Sequence, residues 1–198
     1  MSKINETSKL LLALKEQEDP IDTMKYVKTL IAKGCSIKDI MKTAIDENKI
    51  DFVDSVINIK TDPSIISYKD VIQNTYLHKA VNTSFVTSKY NIIQLMIKSG
   101  FDVNARSIHG FTPLMGAIIA DRSNIVRLLV ENGANIDSQT DVGYTALMFA
   151  IFRWNKQIPN LIELGASVNI RNDQGHSSIE HALYRKEIDA MKIIIYLT

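Results

Sequence analysis

Glycine recurs in this chain at two interleaved registers. Gly100, Gly133 and Gly165 follow one another at 33 and 32 residues, and so do Gly110, Gly143 and Gly175. Gly34 precedes Gly100 by 66 residues, twice the longer step. A fixed period of this size means one small structural unit per period, stacked on copies of itself, and it excludes most closed folds. The stretch from Gly110 to Gly143 shows what the unit is. Thr112 is an N-cap type, and Pro113 suits a first helical position, where no backbone N–H is needed. Leu114, Ala117 and Ile118 then repeat at helical spacing. Asp121 to Asn124 is a polar break, and Ile125, Val126, Leu128 and Leu129 form a second apolar stripe. Gly133 stops that helix, because a left-handed C-cap favours a residue without Cβ. The unit is a helix, a tight turn, a second helix and a polar excursion to the next unit.

The residues Gly110-Phe-Thr-Pro-Leu, Leu128-Leu-Val-Glu-Asn-Gly-Ala-Asn-Ile136, Gly143-Tyr-Thr-Ala-Leu and Leu161-Ile-Glu-Leu-Gly-Ala-Ser-Val-Asn169 resemble the ankyrin repeat family. The match is dense over residues 100–175 and thins towards both ends. Thr75-Tyr76-Leu77-His78-Lys79-Ala80 resembles the family's Thr-Pro-Leu-His-x-Ala, with tyrosine for proline, and Ser177 to Ala182 takes the same place in the last unit. The resemblance implies an all-α solenoid of about six helix-turn-helix repeats joined by short β-hairpin fingers, in one domain over residues 1–198. The expected divisions are a capping helical pair at 1–34, a degenerate repeat at 35–69, a repeat at 70–104, repeats at 105–137 and 138–169, and a C-terminal repeat at 170–198. Ala80 to Ala117 is 37 residues, so the third repeat holds about four extra, placed at Asn82 to Asn91 between its helices. Phe85 and Val86 make part of that insertion apolar, which suits either a contact site or a fold-back over the adjacent repeat.

A net charge of +1 gives no basic stripe for general nucleic-acid binding. No apolar run reaches the ~18 residues of a membrane span, and Met1 to Glu6 lacks a signal-peptide layout. The single cysteine, Cys35, allows no internal disulfide and fits a reducing, cytoplasmic setting. His78, His109, His176 and His181 form no His-Glu-x-x-His pattern, and there is no Cys-x-x-Cys, P-loop or Gly-x-Ser-x-Gly. The expectation is therefore no enzyme, no cofactor and no metal. His78 is expected to bond backbone and tie neighbouring turns together, as the family's histidine does.

What remains is surface. The family's inner helices and finger tips form a face whose residues choose a protein partner. Carried over by position, that face comprises Arg106, Ile108, His109 and Phe111, then Ile119, in one repeat. The next supplies Asp141, Val142, Tyr144, Phe152, Arg153 and Trp154, and the last supplies Asp173, Gln174, His176, Tyr184 and Arg185. Tyr, Trp and Arg are the types that dominate interface hot spots. Phe111 and Tyr144 are expected to stand exposed at their fingertips, whereas Phe152 and Trp154 suit either the face or the interior. The expected function is a non-catalytic protein–protein interaction module. Its alternatives are a bacterial effector or viral protein that blocks a host protein by occupying its surface, and, less favoured, an enzyme or enzyme subunit. Finally, Ile193-Ile-Ile-Tyr-Leu197 is more apolar than one helical face can hide, so self-association through the C-terminal helix is expected.

Overall fold

The structure, a computed structural model, describes residues 22–59, 64–82, 89–153, 156–184 and 195. The described residues form eleven α-helices: α1 Thr23–Ala32, α2 Ile37–Asp46, α3 Ile50–Asn58, α4 Ser64–Ser67, α5 Tyr76–Asn82, α6 Tyr90–Lys98, α7 Pro113–Ile119, α8 Ser123–Glu131, α9 Ala146–Phe152, α10 Ile158–Glu163 and α11 Ser178–Tyr184. A 3-10 turn covers Ile108–Gly110. No strand occurs among the described residues. The connections expected to be β-hairpins are closed there by turns. No described helix is long and apolar enough to cross a membrane. The insertion residues Phe85 and Val86, the apolar run at Leu10 to Leu14, and Trp154 and Arg185 lie outside the described residues.

The chain divides into two compact units. The first contains Met1–Tyr68 and Phe85–Phe101, the second Lys69–Ser84 and Asp102–Thr198. The division runs through the expected repeat 70–104, so α5 and α6 belong to different units.

In the first unit α1, α2 and α6 all pack on α3. The Asp22 carboxylate caps α1 by accepting from the Lys25 N–H at 3.0 Å, and Ser36 caps α2 in the same way. Ile40, Met41, Ala44 and Ile45 of α2 are buried with Phe52, Val53 and Val56 of α3. Ile50 is exposed at the start of its helix. Lys89 is only 1 % exposed, and its ammonium donates to the carbonyls of Ile45 and Asp46. A lysine from 44 residues away thus adds a charged donor to the carbonyls at the end of α2.

In the second unit the first helices of successive repeats stack in order, α5 on α7, α7 on α9 and α9 on α11, while α8 backs α7 and α10 backs α9. The reason is local and repeated. Thr112 and Thr145 cap α7 and α9, each side chain accepting from an N–H three residues on. Leu114, Ala117 and Ile118 are buried on α7, and Leu147, Ala150 and Ile151 on α9. Alanine at the sixth position of each motif lets neighbouring helices approach. A single helix pair would leave half of this apolar surface in water, at a cost of roughly 25 cal/mol per Å2.

Candidate functional site

Each repeat of the second unit presents a finger before its first helix. The four fingers are Asp70–Asn74, Ser107–Phe111, Thr140–Tyr144 and Asn172–His176, and each is closed by the same pair of backbone bonds. In the third, Gly143 N–H donates to the Thr140 carbonyl and Thr140 N–H to the Tyr144 carbonyl, at 3.0 and 2.9 Å. One further bond joins each finger to the one before it: Ile108 to Ile72 at 2.9 Å, Asp141 to His109 at 3.0 Å and Asp173 to Val142 at 3.3 Å, the first residue donating each time.

A second ladder runs beside the first, made by long side chains. The Lys69 ammonium donates to the Arg106 carbonyl at 3.3 Å, the Arg106 guanidinium to the Gln139 carbonyl at 2.7 Å, and the Gln139 carboxamide to the Arg171 carbonyl at 2.9 Å. Arg106 also pairs with Asp141 at 2.9 Å. Arg106 and Asp141, both expected as contact residues, therefore hold each other and set the spacing of two fingers. Arg171 turns to Glu180 at 2.5 Å and to the Gly175 carbonyl. Glu180 accepts from the Ser177 N–H at 2.7 Å while the Ser177 hydroxyl accepts from the Glu180 N–H at 3.3 Å, a reciprocal cap on α11. The Ser177 backbone bond and the Arg171 guanidinium hold the Glu180 carboxyl down to about 2.

Between fingers and helices lie two adjoining compartments. The first, about 520 Å3, is bounded by Asn74, His78 and Asn82 on one side, by Ser107, Ile108 and His109 at the finger, and by Gly116, Ile119 and Ala120 on α7. The second, about 410 Å3, lies one repeat further on and is bounded by Thr140, Asp141, Val142, Tyr144, Phe149 and Phe152. His109 and Phe111 line both and form the wall between them. His109 holds a left-handed backbone, φ 64°, that a residue with a Cβ adopts at a cost.

The second compartment is an aromatic cluster. The ring of Phe149 lies 5.1 Å from Phe111 and 5.7 Å from Tyr144, tilted at 37° and 40°. Tyr144 meets His181 edge-on at 5.4 Å, and Phe152 stacks on His181 at 6.4 Å. Phe111 and Tyr144 are half-buried, not free at the fingertips as expected: Phe111 folds onto Phe149 of the next repeat's first helix, and Tyr144 onto Phe149 behind its own finger and His181 one repeat further on. Phe152 is 46 % exposed and Val142 57 % exposed at the compartment's mouth.

The other expected residues scatter. Ile108 is exposed and Ile119 half-buried on the first compartment. Arg153, Asp173 and Gln174 are exposed, and His176 is half-buried. Tyr184 ends α11, its side chain outside the description, as are Trp154 and Arg185. The sequence reading missed Phe149 and His181. Both occupy the slot between the motif's histidine position and its alanine, with Lys79 and Gly116 in the same slot of the two preceding repeats.

His78 lines the first compartment, yet its ring is spent on structure. Thr75 N–H donates to Nδ1 at 3.2 Å, so the proton sits on Nε2, which donates to the Phe111 carbonyl at 3.1 Å. Burial pushes its pKa down, opposed by the bond to Phe111. Among the described residues no group of three His, Cys, Asp or Glu is placed to hold a metal ion.

The model of a known protein family, described as ankyrin repeats (3 copies), matches residues 22–140, more than half of the chain. No curated protein matches it.

Proposed function

Because this chain belongs to the ankyrin repeat family, we propose that it is a non-catalytic module that binds a partner protein through the two compartments of its second unit. The observation that supports this most is the second compartment, where Phe111, Tyr144, Phe149 and Phe152 line one apolar recess of about 410 Å3. An apolar recess with a few placed polar groups is the default binding site of a protein. Its rim is held by the Arg106–Asp141 pair and the finger ladder, so little ordering remains to be done on binding.

An enzyme reading would need a free titratable group in the groove. The titratable side chains on the groove are His78, which uses both ring nitrogens in its turn, Asp141, which pairs with Arg106, and His109, whose alanine variant is the control for that reading. Occupation of a host protein's surface by an effector or viral protein would use the same groove, and the source of the captured partner separates that case from an endogenous interaction.

The test uses the two most exposed apolar residues of the recess, Phe152 and Val142. Phe152→Asp and Val142→Asp should leave the thermal midpoint within a few degrees of the parent, since exposed positions usually cost under ~0.5 kcal/mol. Partner recovered by affinity capture should fall at least tenfold, the loss of a hot spot worth ~2 kcal/mol. Capture undiminished by both substitutions would place the interface elsewhere.

A further inference from the structure

We propose that the groove takes an extended, locally uncharged peptide segment of the partner, anchored by one bulky apolar side chain among Phe111, Tyr144, Phe149 and Phe152. The proposal rests on the groove reading above and names what fills it.

Charge decides the anchor. The one carboxylate on the aromatic compartment, Asp141, is neutralised by Arg106 at 2.9 Å. A cationic side chain entering among the rings would gain cation–π attraction but would meet that guanidinium and find no free counter-charge. An anionic one would face the negative faces of the rings. A neutral aromatic or branched aliphatic group loses nothing on entry and gains ring contacts.

The neighbouring compartment decides the rest. Its polar side chains Asn74 and Asn82 spend no carboxamide bond among the described residues. A carboxamide offers one acceptor and two donors, the complement of a peptide group's N–H and C=O. Gly116 leaves the floor open: a Cβ there would lie 2.4 Å from Asn82 Oδ1 and would drive that carboxamide aside. The side-chain-free position thus keeps an amide in the groove. Packed helices lie 8–10 Å apart, roughly one repeat step, and an extended chain rises about 3.3 Å per residue. The peptide group held by the asparagines therefore lies about three residues from the anchor.

The probe is a random 12-residue peptide library displayed on phage and selected on the full chain. Enriched peptides should carry one Phe, Tyr, Trp, Leu or Ile with uncharged neighbours, and should shift the NMR resonances of His109, Phe149 and Phe152. Phe152→Asp should weaken them about tenfold or more. Gly116→Ala should also weaken them severalfold while raising the thermal midpoint, because alanine favours a helix interior over glycine. N-methylation of one peptide amide about three residues from the anchor should lower affinity severalfold, whereas N-methylation next to the distal end should not. Enrichment of a basic or acidic anchor, absence of enrichment, or peptides indifferent to Gly116→Ala would overturn the inference. If partner capture depends on Phe152 and Val142 but no peptide binds, the groove reading stands and the extended segment falls. If neither capture nor peptide responds to Phe152→Asp, both fall.

Discussion

An imidazole that accepts a bond at one nitrogen and donates at the other has no place for a second proton. His78 is so placed, with Thr75 N–H on Nδ1 and the Phe111 carbonyl on Nε2, inside a buried turn. Protonation would force Nδ1 to donate towards a group that already donates. Its pKa is lowered, mainly by burial. The unfolded chain takes up that proton near pH 6.5 while the folded chain resists it. The contribution of His78 is therefore complete above about pH 6.5 and is lost as the pH falls towards the lower folded pKa. Urea midpoints measured from pH 7.5 down to 5 should decline in the parent and decline less in His78→Gln. The Glu180 carboxyl, held at about 2 against an ordinary 4.5, acts in a separate window. Its contribution is intact above the ordinary value and drains only towards pH 2, so it does not confuse the comparison. Equal slopes in parent and variant would show that the ring is not under this constraint.

At the scale of one element, the finger shows how a glycine can be needed twice over. Gly143 has φ +78°, and a Cβ on it would lie 2.7 Å from Asn172 Cα and 2.9 Å from the Asp173 nitrogen. Those are backbone atoms of the next finger, which cannot swing aside as a side-chain tip can. Gly133, at a helix end with φ +86°, has nothing within 4 Å. Gly133→Ala should therefore cost only the left-handed penalty of ~1–2 kcal/mol. Gly143→Ala should cost clearly more and should speed amide exchange at Asp173, whose N–H bonds the Val142 carbonyl. Chemical denaturation of the two variants side by side measures the difference. The contrast also marks what the sequence could tell. The glycine period, the Thr112 and Thr145 caps and the Thr75–His78 turn were legible because each depends on neighbours in the chain. That Gly143 touches a finger about thirty residues away was not. Nor was the inward slot of Phe149 and His181, since which helix face meets the groove depends on how the helices rotate when they stack. The ladder of Lys69, Arg106, Gln139 and Arg171 had a signal, a long donor once per repeat. The 37-residue step between Lys69 and Arg106 hid its regularity.

For the molecule as a whole, stacking implies that an apolar helical face must meet another or remain in water. Ile193 to Leu197 reads Ile-Ile-Ile-Tyr-Leu, and five adjacent apolar residues turn through more than one face of a helix. Most of that stretch lies outside the described residues, but Ile195 is described and is 62 % exposed. We propose that this stretch pairs with its counterpart in a second copy across a two-fold axis, because the same patch then serves both partners. Association should therefore rise with concentration in light scattering. On this proposal Leu197→Lys with Ile193→Glu should suppress the rise. The groove variant Phe152→Asp should leave that association unchanged. A parent chain that scatters as a monomer at all accessible concentrations, or a dimer abolished by Phe152→Asp alone, would show that the terminal patch is not what joins the copies.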